Sequence, residues 1–515
     1  MSAVTRSQPG EARLVPRSLN QADDARRSGM RGTKRDKALL PPEAKQERLV
    51  WPLKLFLIGL MVPWVIPVGP LALSVYRIVL LIAVIPCLLA WLRGHAGPKR
   101  LADFGFLLFC SWAAIAFFVV QGVEESIEPA GILFIETMGA YMLARVCIRT
   151  PQDFSRMVLF VAKAIVCMMP FAIYEWLTGT NLILLMFGTV YKTETIVVMP
   201  PRMGLWRVQG PFSHTILFGT FCGSMLALAG MSTIGRLSPK ARVILAGLVG
   251  FTALLSMSSA PIGGLLFQLI LLMWNKALGG FAGRWKLLWA IVFAGYLLIE
   301  FGSNQTPVQF YISHFTFEQQ TGWYRIWIFD YGSASVANHP LFGIGLGDWE
   351  RPVWMPESSV DNFWLLMAMR HGLPAFLLMT LSWLHIWFSV AKHKSLDPTV
   401  DACRIAYLIC MATFVFVGST VHFWGAVYAW FFFLGGSGVW ILDSTRLTLS
   451  PKYRRFQGRD LDEASDPTQT RRGISVQGAR DIQSGGAWVK CDRTPIASSL
   501  AIRYRSRFHR SRQRE

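Results

Sequence analysis

Residues 101–120 read LADFGFLLFCSWAAIAFFVV, with Lys99 and Arg100 before them and Glu124, Glu125 and Glu128 after. A helix of roughly 20 apolar residues, rising 1.5 Å each, crosses about 30 Å of hydrocarbon. Flanking charge of opposite sign orients such a span as well as identifying it. Outward from this run the pattern repeats. Further apolar runs occupy 53–68, 71–92, 129–148, 154–177, 212–231, 242–258, 261–276, 286–301, 373–391, 403–420 and 424–441. Together they predict an all-α, polytopic integral membrane protein with about twelve transmembrane helices. Pro63, Pro67, Gly263 and Gly264 interrupt the first two spans and the 242–276 hairpin, the least regular parts of this pattern.

Counting twelve spans sorts the connectors by sign. Arg93, Lys99, Arg100, Arg149, Arg156, Arg236, Lys240, Arg242, Lys276, Arg284, Lys286, Lys392, Lys394 and Arg404 fall on one side. The other side receives the three glutamates, the tight turn at Ser258–Pro261 and two long loops, about 178–211 and 302–372. This asymmetry predicts that both termini are cytoplasmic and both long loops face outward.

The chain has 515 residues, 53% of them hydrophobic, and a mean hydropathy of +0.38, more apolar surface than one soluble core needs. A soluble helical protein would carry polar faces on most helices, and these runs have none. The net charge of +20 raises the question of nucleic acid. Much of that charge lies in the tails and forms no nucleic-acid module, so membrane lipids are the expected partner and nucleic acid is not. Tails 1–50 and 447–515 lack apolar periodicity and are expected to be disordered, flanking a membrane region at 51–446. Seven cysteines lie in apolar runs and Cys491 in the polar tail, a distribution that supplies neither a metal site nor a disulfide framework.

The long loops carry the chemistry-bearing residues. In the first, Leu182–Phe187 is apolar enough to dip into the interface, and Arg207 immediately precedes the sixth span. In the second, Arg325-Ile-Trp-Ile-Phe-Asp330 has helical spacing, which Asn338-His339-Pro340 ends. Trp323, Trp327, Trp349, Trp354 and Trp364 suit either headgroups or sugar rings. Gly343, Gly345 and Gly347 permit a tight turn, but without strand-then-helix context or a Walker lysine they form no nucleotide loop. Asp361-Asn362 opens an apolar helix, Phe363–Met369, that Gly372 and Pro374 break; Asp361 is a helix cap or a group facing whatever binds beneath the loops. Arginines beside glycine, proline and aromatics in both loops are what a diphosphate site requires, since guanidinium offers several fixed donors to phosphate oxygens.

Three segments bear a family resemblance: Arg207-Val-Gln-Gly210-Pro-Phe212-Ser-His214; Arg325-Ile-Trp327 with Asn338-His-Pro340-Leu-Phe-Gly343-Ile-Gly345-Leu-Gly347; and Asp361-Asn362 followed after nine residues by Gly372. In order and placement these resemble the O-antigen ligase and Wzy-type polysaccharide polymerase superfamily. Asp361 stands where the ligases have a functional histidine, Ala375 replaces a second glycine, and the Ser-Arg or Ser-Gly pair appears as Ser258-Ser259-Ala260. The resemblance implies a bacterial inner-membrane glycosyltransferase whose substrate is an undecaprenyl-diphosphate-linked oligosaccharide, with flippase or chain-length regulator proteins as possible partners. It implies no cofactor and no metal, because arginines can carry the charge stabilisation.

On that expectation Arg207 and Arg325 clamp the donor diphosphate, and Asp361 acts as general base or orients the acceptor. His339 and then His214 are further candidate bases, the latter also readable as a packed or capping histidine. Trp323, Trp327, Asn362 and Glu318 are candidate substrate contacts, Glu318 also as a partner of Arg325. The aspartate in the histidine position favours a polymerase of exopolysaccharide, capsule or O-antigen over a ligase to lipid A-core. The competing class is a transporter, for which Glu136, Lys163 and Glu175 within apolar runs are the residues to inspect. A structural role as an assembly partner is the third reading.

Overall fold

In the computed structural model, which describes residues 49–444 except 70, 305, 308, 311–318, 394 and 396, the chain is an all-α, multi-pass membrane protein. The expected tails, beyond residues 49 and 50, and Glu318 lie outside the described residues. In chain order come α1 (Trp51–Gly59), a hairpin of β1 (Val65–Val68) and β2 (Leu71–Ser74), α2 (Val75–Leu92) and α3 (Leu101–Gln121). Next are α4 (Val123–Phe134), a π turn (Ile135–Gly139), α5 (Ala140–Cys147), α6 (Pro151–Thr178) and the short α7 (Leu182–Gly188). Then follow α8 (Thr215–Met231), α9 (Pro239–Leu254), α10 (Ser259–Ala277), α11 (Arg284–Gly302) and α12 (Gln319–Asn338). Last are α13 (Phe363–Lys392), α14 (Pro398–Gly418) and α15 (Gly425–Ser437), which continues as a 3-10 turn to Asp443.

Among the described residues nine helical rods are long and apolar enough to cross a membrane. They are α2, α3, α4 to α5 taken as one, α6, α10, α11, α13, α14, and α15 with its 3-10 extension. The other three segments expected to cross hold shorter helices, of 9 residues (α1), 17 residues (α8) and 16 residues (α9).

The segment expected as a first span, 53–68, is not a continuous helix. α1 stops at Gly59, and Val65–Val68 pairs antiparallel with Leu71–Ser74. Pro63 and Pro67 lack the N–H a helix needs, while the neighbouring β-branched Val65, Ile66 and Val68 suit extended backbone. A strip of the first long loop extends this pairing, with Val65 N donating to Lys192 O and Glu194 N to Pro63 O.

Burial separates the helices by role. Every residue of α15 from Val427 to Ser437 is buried, as expected of a helix apolar on all sides at the bundle centre. α11 is apolar from Leu287 to Ile299 but buries none of its residues, a surface that suits hydrocarbon and would be costly in water.

Two buried carboxylates inside the bundle are held by several donors each. Asp103 accepts from Trp91, Tyr141 and Arg145, and Arg145 also donates to Ala96 O and Pro98 O. Glu136, in the π turn, takes Tyr76 Oη at 2.6 Å and Arg77 Nε at 2.8 Å. The basic connectors meet at one end: Arg100 pairs with Asp443, Arg149 donates to His95 O, and His393 meets Ser444. The long segments after α6 and before α13 gather at the other end with the α9–α10 and α14–α15 turns.

Candidate functional site

Arg207 sits on a turn fixed by a buried acid. The Glu175 carboxylate, near the end of α6, accepts the backbone N–H of Gln209 at 2.8 Å and of Gly210 at 3.1 Å. Asn181, which caps α7, donates to Glu175 and to Gly210 O. The Gln209 side chain accepts from Val197 N and donates to Thr195 O and Phe212 O, stitching the loop to itself. Gly210 has φ +58°, and a Cβ there would strike Phe218. The Arg-x-x-Gly-x-Phe spacing thus builds a rigid bend whose first residue points at the α9–α10 turn. There Arg207 Nη2 donates to Ser258 Oγ at 3.0 Å, and Arg202 Nη1 donates to Met257 O at 3.0 Å. The sequence reading did not single out Arg202, because it lies outside that motif.

Arg325 is set by a different element. On α12 the positions Arg325, Ile328, Gly332 and Val336 follow helical spacing, and Ile328, Gly332 and Val336 are buried. A Cβ on Gly332 would meet Leu365 and Met369, so this face packs on the first half of α13. At the start of α13, Asn362 caps the helix by accepting Leu365 N at 3.1 Å. That leaves Asp361 free of capping, and its Oδ2 lies 3.7 Å from Arg325 Nη2. Burial pushes the Asp361 carboxyl above the usual carboxylate range; Arg325 pulls it back and Glu357 adds to the rise.

The glycine string does local structural work. Gly372 leaves helical geometry at φ +78°, and Pro374 has no N–H to give Arg370 O. The two helical carbonyls thus released, Met369 O and Arg370 O, accept Ile344 N at 2.8 Å and Gly345 N at 3.0 Å, while Leu373 N turns to Pro340 O. Trp112 completes the join, donating to Leu341 O and stacking on Phe342. A Cβ on Gly343 or Gly372 would collide with the facing backbone. The Pro-Leu-x-Gly-x-Gly loop and Gly372 are therefore two halves of one latch.

Of the remaining candidates, His214 caps α8 by accepting Ile216 N on Nδ1 at 3.1 Å, which leaves the proton of its neutral ring on Nε2. Burial, helped by Arg207, depresses its pKa to about 4. His339 is exposed just past the end of α12. Trp323 is half-buried, whereas Trp327 is exposed and packs edge-on against Trp354. A cleft of about 260 Å³ lined by Tyr331, Ser335, Asn338, Glu350 and Arg351 opens on this exposed side of α12 and includes neither Arg325 nor Arg207. Of the residues considered for transport, Glu136 is paired with Arg77, Glu175 holds the Arg207 turn, and Lys163 is exposed on α6.

The two arginines thus stand in separate clusters at one end of the bundle, joined by the α14–α15 turn. The His214 and His422 rings lie 5.8 and 4.4 Å from the Trp424 ring, centroid to centroid, and Trp424 Nε1 donates to Ser213 Oγ. Val421 O accepts Phe363 N at 3.2 Å, beside Asp361 and Asn362. Sequence reasoning passed over this turn, and His422-Phe-Trp424 between two spans was the available signal. No protein-family model matches the chain, and no curated protein sequence matches it.

Proposed function

We propose that the protein is a membrane glycosyltransferase that polymerises undecaprenyl-diphosphate-linked oligosaccharide repeats into an exopolysaccharide, capsule or O-antigen chain. The observation that carries this reading is the Arg325–Asp361 contact, at 3.7 Å, at the same end of the bundle as the pinned Arg207 turn. In this reading the chain crosses the bacterial inner membrane about twelve times, with α1, α8 and α9 as short crossings. Both termini are cytoplasmic and the arginine end is periplasmic, following the sign of the connectors.

Transfer requires an acceptor hydroxyl to attack the anomeric carbon as the bond to the diphosphate oxygen breaks. The leaving diphosphate keeps that electron pair, and Arg207 and Arg325 stabilise the charge it gathers. The hydroxyl proton passes to Asp361, whose raised proton affinity makes it a better base than an ordinary carboxylate. Attack from the face opposite the leaving group inverts the anomeric configuration. An aspartate, where the resembling ligases have histidine, favours chain growth on a second lipid-linked repeat.

The test is reconstitution in proteoliposomes with one defined lipid-diphosphate repeat, with and without lipid A-core. Lengthened lipid-linked glycan supports polymerisation; product only with lipid A-core would make the protein a ligase. Substrate movement across the bilayer without new glycosidic bonds would overturn the enzymatic reading.

A further inference from the structure

The segment between α14 and α15 touches both arginine clusters. Trp424, the residue before α15, has extended backbone (φ −141°, ψ 164°), and neighbouring residues along such backbone take opposite sides. On one side lies the start of α13. Val421 O accepts Phe363 N at 3.2 Å, and the buried Phe423 ring packs on the Phe363 ring at a centroid distance of 5.0 Å. Phe363 directly follows Asp361-Asn362, so these contacts hold the backbone that carries Asp361. On the other side lies the start of α8. Trp424 Nε1 donates to Ser213 Oγ at 2.9 Å, and the His422 ring stacks on the Trp424 ring at 4.4 Å. Ser213 follows Phe212, whose carbonyl the Gln209 side chain ties into the Arg207 bend.

Transfer needs both clusters at once, because charge gathers beside Arg207 on the leaving group while the acceptor proton moves to Asp361. A misplacement of about 1 Å between reacting groups can cost about 100-fold in rate. Each cluster meets its own part of the substrate, so a change in their separation weighs on the transition state more than on binding. The indole of Trp424 is a large rigid ring with a single donor, and His422 stacked against it fixes where that donor reaches.

We propose that the Val421–Trp424 segment is a rigid spacer that sets the separation of the Arg207 bend from the Arg325–Asp361 pair, with Trp424 and Ser213 as positioning residues for transfer. They act through Arg207 and Asp361 rather than on the substrate. The proposal rests on the transfer reading above, to which it adds the element that brings the two halves of the site into register. Trp424 lies outside all three segments that carry the family resemblance.

The experiment compares Ser213→Ala, Ser213→Thr, Trp424→Phe and the Ser213→Ala/Trp424→Phe double variant with the wild type in proteoliposomes, reading kcat and KM for the defined lipid-diphosphate repeat. Ser213→Ala and Trp424→Phe, which keeps a ring but has no N–H, should each lower kcat about tenfold at nearly unchanged KM. The double variant should lose no more than either single, and Ser213→Thr, which keeps the hydroxyl, should restore most of the rate. Ser224→Ala is the control. It removes the hydroxyl that takes Trp430 Nε1 at 3.0 Å in the bundle interior, and should lower the melting temperature while leaving kcat unchanged. Amide hydrogen exchange of the full-length protein in nanodiscs gives a readout free of activity. Ser213→Ala should speed exchange in the peptide holding Phe363 as well as in the one holding Gln209 and Gly210. Additive losses in the double variant, an equal kcat loss in Ser224→Ala, or faster exchange confined to the Ser213 side overturns the proposal. A wild type that lengthens no glycan sinks the transfer reading, and the exchange result then decides the spacer by itself; wild-type kcat in both single variants sinks this proposal alone.

Discussion

Arg325 and Asp361 face each other at 3.7 Å, close enough to pair in charge but too far to share a hydrogen bond. The Nε of Arg325 is buried without a hydrogen-bond partner among the described residues, so neither member is saturated by the other. An ion pair of this kind leaves lone pairs on the carboxylate and donors on the guanidinium for a third group between them.

The pH dependence of chain elongation follows from Asp361. Its proton affinity is raised, and a base works only when ionised, so elongation should rise with pH through a midpoint above the ordinary carboxylate range. Glu357 contributes to that rise, so Glu357→Gln should move the acid limb to lower pH. Asp361→Asn should remove the limb and reduce the rate by about 100-fold or more, the usual scale of general-base catalysis. A pH–rate profile of reconstituted enzyme checks this; an unchanged limb in Asp361→Asn would assign it to another group.

Glu175→Gln should disturb Arg207 without touching substrate. The carboxylate accepts two backbone N–H groups and an Asn181 amide, and loss of its charge weakens hydrogen bonds worth about 1.5–3 kcal/mol to a charged acceptor. A lower melting temperature and a raised KM for the lipid donor are expected together. If activity falls with no change in stability or KM, Glu175 has a role other than holding the turn.

The latch between the Gly343–Gly345 loop and the α13 break predicts that Gly372→Ala and Gly343→Ala are each severely destabilising. Left-handed backbone costs about 1–2 kcal/mol for a residue with a Cβ, and here the added carbon also meets backbone. Gly347→Ala, outside the positive-φ positions, should cost much less. Thermal unfolding in detergent compares the three, and equal losses would refute the latch.

The Asp103–Arg145 pair, fully withdrawn from solvent, predicts a large loss in either single variant. Removing one member leaves a buried charge and should cost about 3–5 kcal/mol. Asp103→Leu with Arg145→Met should regain part of that stability, which a double-mutant comparison of unfolding midpoints measures.

The sequence was sufficient for the membrane class, because hydrocarbon thickness imposes run length and apolarity on each span separately. The α12 helix was legible from its spacing, and its end from Asn338-His339-Pro340. So was the break at Gly372, where local backbone chemistry decides the outcome. Local signals failed at 53–68, where a hydrophobic run told nothing about whether β1 would find a partner in β2 and the 192–194 strip.

Partnership is what the tertiary structure decided. Asp361-Asn362 could be read as a cap, and only the packing of α12 on α13 shows Asn362 capping while Asp361 turns to Arg325. Glu175 looked like an acid lodged in a span until the loop some thirty residues on supplied the N–H groups it accepts. Composition constrains each segment by itself, whereas neutralisation of a charge depends on groups far apart in the chain that only packing brings together.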